Sequence, residues 1–161
     1  MVPIALGLTL LQLFATPSEH RANIAGWTLE WRRDAFRERQ ACRLHRGAVD
    51  YTRQALVFRL PRSVDTSSAV YRIDDGQPLL SRDDAADIAR LGFALHDDDL
   101  ANPSGGAVRI VASKLKSART VVVEAKPYGS KARFTVEGLS AALTAAHSHC
   151  AEEDFTRAWE G

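Results

Sequence analysis

Two cysteines, Cys42 and Cys150, constrain the fold of this 161-residue chain more than any other feature of its sequence. Cys42 takes an apolar position in a predicted strand, and Cys150 continues the apolar stripe of a predicted helix. Because both thiols are predicted to face the core, a structural disulfide is favoured over a reactive thiol. Closing a loop of roughly 100 residues would stabilise the fold by about 4 to 5 kcal/mol on the entropy model. The bond would tie the last helix to the start of the fold.

The segment Arg133–Cys150, RFTVEGLSAALTAAHSHC, predicts a short strand that leads directly into a helix. Phe134 and Val136 alternate with polar residues, as a half-buried strand requires. Apolar residues then recur at helical spacing, at Leu139, Ala142, Leu143 and Ala146.

An uncharged apolar run, Val2–Ala15, opens the chain and stops before a polar segment. Its 14 residues are too few for a membrane span, which needs roughly 20, but they suit the core of a signal peptide. Cleavage is predicted at Ser18, Ala22 or Ala25, with a new N terminus between about residue 19 and 26. The alternative is an apolar first strand or helix of the core. Export would give a periplasmic or secreted protein, in which a disulfide persists.

Period-2 alternation predicts most of the secondary structure. Seven short strands are predicted: Trp27–Arg32, Ala41–Arg46, Gln54–Leu60, Ser68–Asp74, Ala107–Ala112, Arg119–Ala125 and Arg133–Val136. Ser81 is predicted to cap a helix over residues 82–95, and a second helix ends at Cys150. The pattern predicts an α+β fold, mainly an antiparallel β-sandwich or half-barrel of about seven strands with two helices, the second C-terminal.

Three regions follow from these patterns. Residues 1–22 are predicted as the signal peptide and residues 23–150 as a single β-rich domain. Residues 151–161 form an acidic tail that is expected to fray or lie loosely on the surface.

The sequence contains no nucleophile elbow, phosphate-binding loop or H-E-x-x-H zinc motif. His147 and His149, two apart on a predicted helix, point away from each other and cannot share a metal from one face. His96 precedes three aspartates, Asp97–Asp99, whose consecutive spacing does not match a calcium-binding loop. We therefore predict no catalytic residue, no metal and no cofactor. A nucleic-acid partner and a transmembrane span are not expected either.

Two tryptophans, Trp27 and Trp31, share one face of the first predicted strand. They could form a sugar-binding platform, but tryptophans paired at this spacing belong more often to the core.

Four arginines are predicted to share one face of the sheet. If the apolar residues of their strands face the core, period-2 alternation sends one arginine per strand outward, namely Arg59, Arg72, Arg109 and Arg133. Valines at 57, 70, 111 and 122 would lie beside them. Such a face suits an anionic, partly apolar partner: a lipid headgroup, an envelope polysaccharide or an acidic protein surface. The alternative is a solvated or covered face whose arginines pair with Glu124 and Asp74.

The order of features is similar to that of small bacterial periplasmic proteins. W-x-L-x-W is followed by D-x-F, a cysteine strand, V-Y-R-I-D-D-G-Q-P, and F-T-V-E-G-L-S-A-A-L before a last cysteine. This pattern resembles the invasion-associated locus B type, exported β-rich proteins of the cell envelope. The C-terminal part also resembles type VI secretion accessory proteins. The resemblance implies an envelope location and no known catalytic residues, and it carries over only Cys42 and Cys150, as a pair.

The sequence thus predicts an exported, non-enzymatic cell-envelope protein with a binding or structural role. One alternative is an accessory protein of a secretion system. A second is a periplasmic hydrolase whose site the sequence does not reveal.

Overall fold

The computed structural model describes residues 18–34, 39–93, 106–126 and 130–156. These residues form ten strands: β1 (Ser18–Ile24), β2 (Trp27–Asp34), β3 (Arg39–Arg46), β4 (Val49–Thr52), β5 (Ala55–Arg59), β6 (Asp65–Ile73), β7 (Leu79–Leu80), β8 (Ala107–Val111), β9 (Thr120–Lys126) and β10 (Ser130–Thr135). Two α-helices accompany them, α1 (Ala85–Arg90) and α2 (Leu139–His147). Three 3₁₀ segments complete the described part, at Ser81–Asp84, Ala112–Leu115 and Glu152–Thr156.

The strands form two antiparallel sheets. The large sheet has the order β1-β2-β3-β4-β5-β8, and the small sheet has the order β10-β9-β6-β7. Strands β1 to β5 follow one another as a meander, and two-residue turns join β1 to β2, β3 to β4 and β4 to β5. The α+β fold, mainly antiparallel with its second helix near the C terminus, is confirmed.

The described residues contain ten strands where about seven were predicted. The additional three are β1, β4 and β7. β1, SEHRANI, forms the edge of the large sheet and pairs only with β2, so it lacks the apolar alternation of a half-buried strand. β4 and β7 have four and two residues, too few for periodicity to reveal.

The core lies between the two sheets. Leu44 and Phe58 of the large sheet and Tyr71 and Val123 of the small sheet all point inward and are almost fully buried. The sheets meet directly where the rings of Phe58 and Phe134 pack edge to face, with centroids 5.2 Å apart.

Helix α2 packs against β1 and β2 and contributes to this core. Its apolar stripe is buried as predicted, at Leu139, Ala142, Leu143 and Ala146. Gly138, which precedes the helix, has a φ of 81°. A Cβ atom there would lie 2.6 Å from the carbonyl oxygen of Ala25, so only glycine allows the helix to approach the β1–β2 turn this closely.

The predicted disulfide is present. Cys42 on β3 is bonded to Cys150, three residues beyond the end of α2, and their Cα atoms are 6.3 Å apart. Both cysteines are buried, as their apolar positions predicted.

The first helix is much shorter than predicted. Ser81–Asp84 forms a 3₁₀ turn, and α1 then ends at Arg90, ahead of a left-handed Gly92 with a φ of 81°. The hydroxyl of Ser81 makes no capping bond. Asp84, which precedes α1, is buried: the Tyr71 hydroxyl donates to its carboxylate at 2.6 Å, and the Lys114 ammonium contacts the other oxygen. Residues 94 and 95 of the predicted helix lie outside the described residues.

The predicted loose tail is wrong for residues 151–156. Phe155 is buried in the core against the ring of Tyr51, with centroids 5.2 Å apart. The Asp154 carboxylate accepts the backbone N–H of Ala151 at 2.9 Å, and Thr52 donates to the Phe155 carbonyl at 2.9 Å. An apolar side chain at 155 therefore anchors a segment that its charge alone predicted to be loose. Residues 157–161 lie outside the described residues.

The predicted domain start at residue 23 falls inside β1. Residues 18–24 pair in unbroken register with residues 27–33 of β2, from Ser18 opposite Arg33 to Ile24 opposite Trp27. The domain therefore includes residues that the leader was predicted to contain. No helix in the described part of the chain is long and apolar enough to cross a membrane.

Candidate functional site

The four predicted arginines do not share one face, because their strands belong to two sheets. Arg59 and Arg109 lie on β5 and β8 of the large sheet, whereas Arg72 and Arg133 lie on β6 and β10 of the small sheet. Arg72 and Arg133 point outward from their strands as predicted, whereas Val57, predicted to lie outward beside Arg59, is buried. The sheet to which a strand belongs is a long-range property that alternation does not encode.

The two arginines of the large sheet are already engaged. Asp50, buried on β4, accepts hydrogen bonds from Arg43 at 3.0 Å and from Arg59 at 2.7 Å. The guanidinium of Arg109 packs 5.2 Å from the centroid of the Phe93 ring. Burial, followed by the neighbouring Arg59, lowers the pKa of Arg109. These two arginines are thus paired or partly covered, as the predicted alternative described, but the carboxylate that pairs with Arg59 is Asp50 and neither Glu124 nor Asp74.

The two arginines of the small sheet are different. Arg72 and Arg133 are exposed, and no described residue forms an ion pair or hydrogen bond with either guanidinium. Both lie opposite Val122 of β9, one on each side, so their Cα atoms are about 10 Å apart at the usual spacing between strands. The side chains of all three residues point to the outer face of this sheet.

The next row of the same face carries Lys131, Glu124, Val70 and Leu80 in register. Lys131 and Glu124 form an ion pair at 3.1 Å, so this row adds no net charge, while Val70 and Leu80 add half-buried apolar surface. We call the outer surface of the small sheet, formed by these two rows, the arginine–valine face: Arg72, Val122, Arg133, Lys131, Glu124, Val70 and Leu80.

The predicted carboxylate partners do not neutralise this face. Glu124 pairs with Lys131. Asp74 accepts backbone hydrogen bonds from Thr120 at 2.8 Å and Arg119 at 3.0 Å, and these bonds lower its pKa. The net charge of two on the face is therefore uncompensated among the described residues.

A pocket of about 310 Å³ lies between α2 and the end of the large sheet. Helix α2 forms one wall, and the end of β8 with the following 3₁₀ segment forms another. Tyr51 and Gln54, next to the β4–β5 turn, and Glu152, beyond the disulfide, close the site. The lining residues are Tyr51, Gln54, Val111, Ala112, Ser113, Lys116, Ser140, Leu143, Thr144, His147 and Glu152.

Glu152 organises this pocket because its carboxylate holds three other groups. It accepts the Tyr51 hydroxyl at 2.8 Å and the backbone N–H of Gln54 at 3.0 Å, and it contacts Nε2 of His147 at 2.9 Å. Burial, and then the hydrogen bond to Glu152, raise the pKa of Tyr51.

The turn beside Glu152 is strained. Arg53 and Gln54 connect β4 to β5 in left-handed conformations, with φ of 48° and 60°, and neither is glycine. Each such residue costs about 1 to 2 kcal/mol relative to a relaxed backbone. The hydrogen bond from Gln54 to Glu152 helps to hold this conformation.

The tryptophans do not form a sugar platform. Trp27 is completely buried and donates its Nε1 hydrogen to the carbonyl of Glu137 at 3.1 Å. Trp31 is stacked between His20 and His149, with ring centroids 5.3 and 5.0 Å away. The core interpretation is confirmed for Trp27.

The histidines occupy separate environments. His147 contacts Glu152, whereas His149 stacks on Trp31, so the two do not share a metal. The Nε2 atom of His45 lies 3.5 Å from the Oε2 atom of Glu30. Within the described ranges no group of three or more His, Cys, Asp and Glu side chains could hold a metal ion. The predicted candidates at His96 and Asp97–Asp99 lie outside those ranges.

The pocket was not predicted from the sequence. One signal was present: Ser140, Thr144 and His147 follow i, i+4, i+7 spacing and so define a polar stripe on α2. Tyr51, Lys116 and Glu152 reach the site from distant positions, which only the tertiary fold brings together.

The chain matches no family model, no curated protein and no solved structure.

Proposed function

We propose that this chain is an exported, non-enzymatic protein of the cell envelope that binds anionic lipid headgroups through the arginine–valine face. The observation that carries the proposal is the pair Arg72 and Arg133, exposed without a described partner on either side of Val122. A guanidinium binds phosphate oxygens bidentately, and its aliphatic stem covers neighbouring apolar surface.

The apolar part of the surface favours a lipid over the other anionic partners. Three half-buried apolar side chains, Val70, Leu80 and Val122, lie on this face beside the two arginines, and Leu80 is opposite Val70 across the sheet. An acidic polysaccharide would satisfy the arginines but offers no apolar layer for these side chains. A membrane surface offers both phosphate and acyl chain.

Export rests on two features of the chain. The apolar run Val2–Ala15 has the length of a signal-peptide core, and the Cys42–Cys150 disulfide is of the kind that persists outside the cytoplasm. Among the predicted cleavage sites, only Ser18 leaves β1 nearly whole, so we place the mature N terminus at Glu19. The resemblance to invasion-associated locus B proteins supports the envelope location.

Vesicle binding tests the proposal. The mature protein is sedimented with vesicles of phosphatidylglycerol and, separately, of phosphatidylcholine, at low and high salt. We expect binding to the anionic vesicles that falls as salt rises, because salt screens exposed charges. Replacing Arg72 and Arg133 with glutamine should weaken binding about 30-fold, since each basic residue near an anionic surface contributes about 1 kcal/mol.

The matched control is Arg33→Gln with Arg39→Gln, which removes the same charge from exposed positions on β2 and β3 that have no described partner. It should bind like the unmodified protein. Equal weakening in both double variants would show nonspecific attraction, and equal binding to both lipids would refute the proposal. Binding to acidic polysaccharide or acidic protein without lipid binding would also refute it.

A further inference from the structure

We infer that the pocket beside Glu152 is a second binding site, separate from the arginine–valine face, for a small organic carboxylate with a short apolar body. Its volume of about 310 Å³ lies at the lower end of the range, roughly 300 to 1,000 Å³, that small-molecule sites occupy. The charges and the hydrogen-bonding groups that line it decide the class of ligand.

The one carboxylate that lines the pocket already uses most of its hydrogen-bonding capacity. Glu152 contacts three groups, Tyr51, Gln54 and His147, all within 3.0 Å. A carboxylate can accept about four hydrogen bonds, so little of its capacity remains for a cationic ligand.

The one lysine that lines the pocket has no described partner for its positive charge. Lys116 lines the pocket, and no described residue forms an ion pair or hydrogen bond with its ammonium group. Ser113 lies three residues earlier, and side chains at this separation point the same way in a 3₁₀ conformation. Ser140 lines the facing wall, and its side chain is also without a described partner. The unused groups are therefore an ammonium and hydroxyls, which can donate to an anion.

The remainder of the lining is apolar except for Thr144, whose hydroxyl donates to the carbonyl of Ser140 at 3.0 Å. Val111 and Ala112 on one wall and Leu143 on the other provide surface for a short hydrocarbon or ring. One ammonium group, without a guanidinium fork, matches a single carboxylate better than a doubly charged phosphate.

The disulfide holds this site in place, because residues of the pocket lie on both sides of Cys150 in the sequence. His147 lies three residues before Cys150 and Glu152 lies two residues after it, so the bond to Cys42 fixes both relative to β3. The Arg53–Gln54 turn beside Glu152 keeps a strained backbone, which persists only where the surrounding contacts hold it in place. Such strained residues cluster at binding sites.

The test uses four probes: hexanoate and benzoate, with hexanamide and benzamide as neutral analogues of the same shape. Titrations of the mature, disulfide-bonded protein are followed by NMR at Ala112, Ser113 and Leu143. We expect both carboxylates to shift these resonances and to bind at least about tenfold more tightly than the amides, because hydrogen bonds to charged groups are the stronger ones.

Two variants and a control complete the test. Lys116→Met should abolish the preference for carboxylates, and Ser113→Trp should block all four probes by filling the pocket. Arg33→Met removes an equivalent charge from an exposed position on β2, outside both proposed sites, and should leave all four titrations unchanged. Both parent residues of the test variants are exposed, so the fold should survive, which circular dichroism checks. Absence of carboxylate shifts at these positions, equal affinity for acids and amides, or an unchanged preference in Lys116→Met would overturn the inference.

Discussion

At the scale of single residues, two carboxylates accept hydrogen bonds from two buried tyrosines. Glu152 accepts the hydroxyl of Tyr51, and Asp84 accepts the hydroxyl of Tyr71. Burial, reinforced by these carboxylates, raises the pKa of both phenols above the usual value of 10. Each tyrosine is thereby fixed in its neutral form, which is the form that can donate to a carboxylate.

The raised pKa values predict alkaline unfolding. The folded state retains a proton that the unfolded state loses above pH 10, so the stability is complete below pH 10 and falls as pH rises further. The loss should be about 1.4 kcal/mol per pH unit for each tyrosine. Tyr51→Phe should reduce the slope of the unfolding free energy against pH by about 1.4 kcal/mol per pH unit, which corresponds to one proton. Urea unfolding at several alkaline pH values measures this slope. An unchanged slope would show that Tyr51 ionises normally in the fold.

The β4–β5 turn offers a second test at this scale. Gln54 has a φ of 60°, which glycine adopts without strain, and only its backbone N–H contacts Glu152. Gln54→Gly should therefore keep the hydrogen bond and raise the free energy of unfolding by about 0.5 to 1 kcal/mol. Urea unfolding compares it with Ala86→Gly, an exposed position within α1, which should lose about 1 kcal/mol. A loss of stability in Gln54→Gly would contradict the strain assigned to this turn.

At the scale of elements, the sequence predicted the helices and strands whose apolar residues recur at a regular spacing. The buried stripe of α2 and the alternation of β9 follow directly from residue order, as does the inward position of Cys42 and Cys150. β5 is instead buried on both faces from Ala55 to Phe58, which its sequence alternation did not predict. The polar edge strand β1 and the two-residue strand β7 carry no such pattern and escaped prediction. Pairing with a neighbour, rather than local preference, makes them strands.

The C-terminal segment shows the same limit in another form. Its charges predicted a loose tail, yet the apolar residue Phe155 and the hydrogen bonds of Asp154 and Glu152 hold it against β4.

The prediction of the candidate sites was incomplete for a related reason. Each arginine was placed correctly on its strand, but which strands share a sheet, and which distant residues meet around Glu152, depends on the tertiary fold.

The disulfide yields a prediction for these elements. Cys42→Ser with Cys150→Ser should lower the free energy of unfolding by about 4 to 5 kcal/mol, because the bond closes a loop with a sequence separation of 108 residues. Amide exchange should accelerate first in α2 and in residues 151–156. The small sheet, which the bond does not touch, should remain protected under conditions that loosen α2. Uniform acceleration across both sheets would contradict this local role.

At the scale of the whole molecule, the two sheets have different outer surfaces. On the large sheet, the Asp50 contacts and Phe93 occupy the arginines, whereas the arginines of the small sheet face outward without described partners. The disulfide and the large sheet thus form the framework, and the small sheet presents the surface to which we assign binding.

Export is tested at the N terminus. The mature protein recovered from the periplasm or the medium should begin at Glu19, because cleavage at Ala22 or Ala25 would remove most or all of β1 and its pairing with β2. N-terminal sequencing of the recovered protein decides this. Intact Met1 on protein confined to the cytosol would rule out export.

The central claim, that the arginine–valine face meets anionic lipid, is tested most directly by methyl NMR with bicelles. Phosphatidylglycerol bicelles should shift and broaden the methyl signals of Val70, Val122 and Leu80, and phosphatidylcholine bicelles should leave them unchanged. The methyls of Val57 and Val111, on the large sheet, serve as the internal control. Shifts confined to the small sheet would support the account. Shifts at Val57 and Val111 with Val70 and Val122 unaffected would contradict it.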